Sequence, residues 1–333
     1  MKKHVRLASG WFLIVTLLFA VGCQAAPPTP VPPTATPSPT ATPTPEPPTP
    51  TPEPEPWQQK TRLPNSTAAA VAVVLDEKVY VIGGGQRAKD GTSIGPVQVY
   101  DPATDTWTLG AEIPTLRHFL AVTAVDNKIY AFGGQGSGES FRSEFEVYDP
   151  ATDTWEVRAD MPTPRRNFFA HTVAHKIYLF GGDEECACSV EVYDPATDTW
   201  EKRTDMPTPR KRGASVLFEG KIYLFGGFSP EGDLSIVDIY DPATDTWTQA
   251  ADLPDMWFDP IGCVLDGRIY AVPGDERVLA IYDPTTDAWE MGPDFPSPRH
   301  VHSVASVGGR IYVFGGALSG DPRAGVWEYD PAR

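Results

Sequence analysis

The phrase Tyr-Asp-Pro occurs six times in this chain, beginning at Tyr100, Tyr148, Tyr193, Tyr240, Tyr282 and Tyr329. The intervals are 48, 45, 47, 42 and 47 residues, so the fold must be built from copies of one supersecondary unit. Upstream of each copy lies a second phrase, as in Lys78-Val79-Tyr80-Val81-Ile82-Gly83-Gly84 and Lys128-Ile129-Tyr130-Ala131-Phe132-Gly133-Gly134. The same phrase surrounds Tyr178 with Gly181 and Gly182, Tyr223 with Gly226 and Gly227, Tyr270, and Tyr312 with Gly315 and Gly316. Downstream, a Trp follows each of the first five Tyr-Asp-Pro tyrosines by seven residues and a Pro follows that Trp by seven. The pairs are Trp107/Pro114, Trp155/Pro162, Trp200/Pro207, Trp247/Pro254 and Trp289/Pro296.

Each unit reads as four short strands. In the first, Ala68 to Leu75 is small, β-branched and apolar, Val79 to Ile82 is a second run, Val97 to Tyr100 a third and Thr106 to Leu109 a fourth. Glu219-Gly220, Asp266-Gly267 and Gly308-Gly309 supply hairpin turns between first and second strands. Double glycine, Tyr and spaced Trp together resemble the kelch repeat, and the resemblance covers Trp57 to Pro331. It implies an all-β fold, a six-bladed β-propeller with four antiparallel strands per blade. The sixth unit ends at Pro331 without its Trp, whereas Trp57 and Pro64 have the missing spacing. Trp57 to Leu63 is therefore expected to supply the fourth strand of blade six and leave no open sheet edge.

The domain boundaries follow from composition. Residues 1–22 carry Lys2, Lys3 and Arg6 ahead of an apolar run, Trp11 to Gly22, that is shorter than the ~20 residues of a membrane span. The run ends in Leu18-Phe19-Ala20-Val21-Gly22-Cys23, which resembles a bacterial lipobox, although Ala20 stands where Leu is usual. The resemblance implies lipidation at Cys23 and an extracytoplasmic protein anchored to the bacterial cell membrane. Residues 23–56 hold 15 of the 36 prolines, a Thr/Pro-rich stalk that favours extended polyproline II and builds no core. Residues 57–333 are the propeller. The formal net charge is −17, which repels phosphate backbones, so nucleic acid is not an expected partner. A monomer is expected.

Strand parity assigns the faces. First-to-second and third-to-fourth turns share one face, where Asp101-Pro102-Ala103-Thr104-Asp105 recurs at Asp149, Asp194 and Asp241 and nearly so at Asp283. A turn repeated in every blade reads as scaffold. The other face carries the second-to-third loops and the crossovers between blades. Four crossovers place a basic pair after the Pro: Arg117-His118, Arg165-Arg166, Arg210-Lys211 and Arg299-His300. In kelch substrate adaptors, arginines at this position grip acidic peptides, so the resemblance implies a ligand rim; guanidinium forks suit carboxylates. The same arginines could equally tie down their own loops or neighbouring blades, and the sequence leaves both roles open. Blade five departs, reading Pro254-Asp255-Met256-Trp257-Phe258-Asp259 with a short loop at Asp275 to Arg277. That predicts a notch floored by Trp257 and Phe258 between Arg210 and Arg299, or a decayed repeat whose Trp fills space.

Catalysis is the weaker expectation. All twelve tyrosines occupy the two repeat slots, leaving none for copper-radical chemistry of the kind known in some kelch propellers. His118, His171, His175, His300 and His302 show no metal-ligand spacing, and no metal or cofactor is expected. Asp255, Asp259 and Glu276 are the nearest acid/base candidates. Cys263 reads as a buried small residue, while Cys186 and Cys188 are too close for a relaxed disulfide. The reading is a surface binding module for a protein or glycan on the arginine-bearing face, with a sugar epimerase or mutarotase as the alternative.

Overall fold

The computed structural model describes residues 55–85, 93–136, 138, 140–182, 188–257, 259–274, 278–297, 299–300, 302–318 and 321–333, all within the unit Pro52–Arg333. The leader, Cys23, the stalk up to Pro54, Cys186, Phe258 and the Asp275 to Arg277 loop with Glu276 lie outside the described residues.

The repeats fold as six four-stranded antiparallel sheets. Blade one is typical, its strands Val71–Leu75, Lys78–Ile82, Pro96–Asp101 and Thr106–Glu112 hydrogen-bonded in chain order. Blade six contains Ser303–Val307, Arg310–Phe314 and Val326–Tyr329, and its outermost strand is Trp57–Lys60 from the other end of the chain. Trp57 pairs with Tyr329 in the register that Trp107 keeps with Tyr100, so the expected closure is present.

The core consists of six apolar clusters, each shared by two neighbouring blades. Phe132 and Phe145 of blade two, for example, pack on Ile177, Leu179 and Tyr193 of blade three. No blade buries its faces alone.

A polar latch reinforces most seams. The second Asp of each Asp-Pro-Ala-Thr-Asp turn lies at positive φ, which Asp tolerates better than most residues. Asp105 accepts the Tyr100 hydroxyl at 2.7 Å and the Thr61 N–H of the preceding blade at 3.0 Å, while Trp107 Nε1 donates to the Thr61 carbonyl at 3.0 Å. One residue is thus held by both its backbone groups. Asp153 and Trp155 hold Ala111 in the same way, Asp245 and Trp247 hold Thr204, and Asp287 and Trp289 hold Ala251. Two seams lack the latch. Between blades two and three, Asp198 keeps its tyrosine, but Trp200 Nε1 is buried without an acceptor. Between blades five and six, Trp57 Nε1 is also unpaired, and the gripped position is Pro293, which has no N–H.

The crossover arginines form a second staple, so of the two roles left open by the sequence the structure selects the scaffold one. Arg117, Arg165 and Arg210 are 0% exposed and Arg299 is 3% exposed. The carbonyl of Arg165 accepts the Gly134 N–H of the preceding blade at 2.7 Å; a Cβ on neighbouring Gly133 would meet that oxygen at 2.6 Å, and Gly133 lies at φ +54°. The side chain then turns into the following blade, donating to the Gly181 carbonyl at 2.7 Å and pairing with Glu191 at 3.0 Å. Arg117 pairs with Glu146 at 2.7 Å and Arg210 with Asp238 at 2.5 Å. These acids all stand two residues before the Tyr of Tyr-Asp-Pro. A guanidinium removed from water in this way needs such a partner and cannot also line a rim.

The blade-five notch is likewise corrected. Trp257 is 4% exposed, packed among Phe225, Leu253 and Ala280, and its carbonyl takes the Gly227 N–H at 2.9 Å. With Ala280 at the acid position there is no carboxylate to neutralise a guanidinium, and an indole fills the space. Arg210 and Arg299, expected to flank the notch, are sealed inside their blades.

Two stability outcomes follow. Asp245→Ala removes a charged acceptor from two donors and should cost roughly 2–3 kcal/mol, whereas Asp198→Ala at an unlatched seam should cost about half as much, measured by chemical denaturation. Arg210→Ala strands a buried carboxylate and should cost about 3–5 kcal/mol in the same measurement; a loss below about 1 kcal/mol would remove the staple from the account.

Candidate functional site

Removing the arginines from the surface leaves a different set of side chains on the crossover face. Two residues after Arg117, Arg165 and Arg210, and after Thr67 at the same place in blade one, the chain enters the innermost strand through a left-handed residue. In blades one to four these are Ala69 (φ 57°), Phe119 (φ 57°), Asn167 (φ 54°) and Arg212 (φ 54°); in blade five Asp259, two residues after Trp257, lines the same mouth. Their backbones join around the channel mouth, Phe119 N–H to Ala69 carbonyl at 3.2 Å, Asn167 to Phe119 at 3.1 Å and Arg212 to Asn167 at 3.4 Å. The backbone repeats here while the side chains do not. Arg212 lies over the Phe119 ring at 5.1 Å, spanning the mouth from blade four to blade two.

Below this ring lies a cavity of about 280 Å³ walled by the innermost strands of all six blades. Its lining is mostly apolar, with Phe119, Phe168, Ile261 and several alanines. The polar groups are few. His171 Nε2 bonds Ser215 Oγ at 2.7 Å, and burial pushes its pKa down to about 4. His302 is 3% exposed, and neither ring nitrogen meets a partner in hydrogen-bonding geometry. Burial, then the nearby Arg299, pushes it down to about 3, partly opposed by the Arg299 backbone. Both imidazoles are neutral at pH 7.

Of the expected rim, four residues remain on this face, one position outside the ring. His118 is half-buried, its pKa lowered by burial and by Arg166. Arg166 bonds Gln135 Oε1 and lies over Phe141 at 4.5 Å. Lys211 lies over Phe228 at 5.7 Å, and His300 is exposed. Sequence reasoning did not single out Phe119, Asn167 and Arg212. Their signal was variation: within a repeat, the recurrent arginine marks the frame and the changing residue two places on marks what the frame presents.

The other candidates stay apart from this mouth. His175 pairs with Asp126 at 2.7 Å on the turn face. Asp255 is exposed on the crossover, and Cys263 is buried, which raises its thiol pKa. Cys188 is a half-buried free thiol. Among the described residues no three His, Cys, Asp or Glu side chains converge.

Comparison with known proteins agrees with the fold. Residues 49–202 and 120–316 match the KLHDC2/KLHL20/DRC7 kelch-repeats domain. Beta-scruin from Limulus polyphemus is 33% identical over 78 residues, 23% of this chain and 8% of the relative. The Rab9 effector protein with kelch motifs from Xenopus laevis is 30% identical over 77 residues, 22% of this chain and 21% of the relative. Kelch-like protein terF from Aspergillus terreus is 37% identical over 83 residues, 23% and 18%. The matched segment thus spans about a fifth or less of these relatives. Six repeats closed by both chain ends, and a family match across most of the chain, place this protein in the kelch-repeat family.

Proposed function

We propose that this protein is an extracytoplasmic binding module, carried on a lipidated Cys23 and a Thr/Pro-rich stalk, that captures a protein or glycan on the crossover face of its propeller. The observation that carries the reading is the mouth ring, where one backbone conformation displays Ala69, Phe119, Asn167 and Arg212, with Asp259 on the same lining, around a cavity open to that face. A scaffold position has no reason to vary in this way, whereas a recognition position does. The outer residues His118, Arg166, Lys211 and His300 widen the same surface with donors in an otherwise acidic chain. The relative described as a Rab9 effector makes a protein ligand a natural first choice. The tether rests on the lipobox-like residues ending at Cys23.

Two measurements test this. Phe119→Ala and Arg212→Ala adopt the residue that Ala69 already places at the same φ, so they should leave the melting temperature within about 2 °C. The same variants should reduce capture of partners from the native cell surface by about tenfold or more; unchanged capture would exclude this face. Separately, Cys23→Ser should abolish metabolic labelling with a fatty-acid probe and release the protein from membranes, and retention of the label would remove the anchor.

A further inference from the structure

The seam between blades five and six lacks bonds that recur around the rest of the ring. It has no Asp–Trp latch, because Pro293 offers no N–H and Trp57 Nε1 is buried without an acceptor. Gly84, Gly134, Gly182, Gly227 and Gly316 each donate to a crossover carbonyl of the next blade at 2.7–3.4 Å. Pro273-Gly274 stands at that place in blade five, and among the described residues Gly274 makes no such bond. Arg299 meets no acid either, since Trp327 occupies the position of Glu146, Glu191 and Asp238. The seam between blades two and three, which also lacks the latch, keeps its Arg165–Glu191 pair and its Gly134 bond.

An imidazole is sealed into this weak seam. His302 is buried, both its nitrogens are closed off from water and from the channel, and neither meets a partner in hydrogen-bonding geometry. Its ring stacks on the buried Phe295 at 6.3 Å, and the Arg299 guanidinium lies over that same phenyl ring at 5.6 Å. Trp57 of the closing strand packs on Phe295 from blade six at 4.9 Å. The charged groups nearby do not favour a cation. Arg299 and His300 face His302 from its own crossover, and Arg323 of the blade-six loop faces Arg299. Asp259 of blade five, the carboxylate on the shared cavity lining among the described residues, is not among the groups that act on the imidazole. A proton on His302 would therefore place a second buried cation beside Arg299 with no counter-charge. His171, the other imidazole held neutral by burial, keeps Ser215 as a partner across a latched seam.

We infer that the seam between blades five and six is an acid-opened gate, in which a proton taken up by His302 parts the two blades while the latched seams stay shut. The gate does not depend on which face captures the partner. Burial, then the Arg299 charge, pushes the His302 pKa down to about 3 in the closed ring, against about 6.5 in an open chain. Neutral His302 thus supports closure in full above about pH 6.5, and the closing constant falls about tenfold for each pH unit below that, down to about pH 3. The neighbouring latch outlasts it. The Ala251 N–H, then the Tyr282 hydroxyl, hold Asp287 below the usual Asp range, so it is still ionised at about pH 4.5.

Cys263 supplies the readout, because its thiol is buried in the cluster that joins blades five and six and becomes reactive when the seam opens. The full-length, detergent-solubilised chain is labelled with 4,4′-dithiodipyridine, each rate is divided by that of free cysteine, and the Cys263 phase is assigned by its loss in Cys263→Ser. That normalised rate should rise about a hundredfold between about pH 7.5 and about pH 4.5. His302→Gln and His302→Phe cannot take up the proton, and either should hold the rise to about threefold or less. Val216→Cys in a Cys263→Ser background puts a thiol at the same strand position against the latched seam between blades four and five, and its labelling should rise less than about tenfold. The gate is overturned if Cys263 labelling does not rise in acid, or if it rises as much without His302. It is overturned equally if Val216→Cys rises as far as Cys263, because the whole ring is then opening.

Discussion

A sheet placed in a ring can bury its two faces only against its neighbours, so this fold depends on the pairing that closes the ring. Trp57–Lys60 against Val326–Tyr329 is that pairing, and it is made between the first and last strands of the described chain. Without it blade six is a three-stranded sheet with an open edge, and the cluster joining Trp57 to Phe295, Val313 and Tyr329 loses its anchor. All six seams have the same architecture, and closure makes them mutually dependent. The channel mouth inherits its geometry from this, because its wall takes an innermost strand from every blade.

The seams are not equal in how they are held. Four combine apolar packing with the Asp–Trp grip on a single backbone residue, and the two that lack it lie opposite each other, separating blades six, one and two from blades three, four and five. Aromatic packing is dense at both. Phe132 and Phe145 stack at 4.5 Å beside Tyr193 and Trp200 at one seam, and Trp57 lies 4.9 Å from Phe295 and 5.0 Å from Tyr329 at the other. Latched seams carry such clusters too, as Tyr100, Trp107, Tyr312 and Phe314 do between blades six and one, so the polar latch supplements aromatic packing, which itself adds to simple area burial.

Much of this was legible in the sequence because the same chemistry is written six times. Strand periods and Asp-Pro turns agree in every unit and the double glycines in five of six, so the number of blades, strand order and closing segment could be read from the sequence. The direction of the arginine side chains could not. A rim and a staple both want a guanidinium at Arg165, and only the partner decides between them. That partner had a trace: Glu146, Glu191 and Asp238 recur two residues before the Tyr in the blades whose crossovers carry Arg117, Arg165 and Arg210, and Ala280 replaces them where Trp257 replaces the arginine. Blade six breaks the rule: Trp327 stands at the acid position, and Arg299 is held by the Gly315 and Gly325 carbonyls and Ser297 instead. The neutrality of His171 and His302 was illegible, since it comes from burial by residues distant in the chain.

The proposed function rests on separating frame from cargo: recurrent positions hold blades together, and the variable ones at a fixed backbone are the proposed recognition positions. That separation stands only if the ring is closed as a single cooperative body. Native-state amide hydrogen exchange tests it most directly, comparing residues 57–60 and 326–329 with the buried second strand 78–82 of blade one. The account predicts that the closing pair exchanges only through global unfolding, with the same free energy as residues 78–82. Fast exchange of residues 57–60 through local detachment, while 78–82 stays protected, would contradict it.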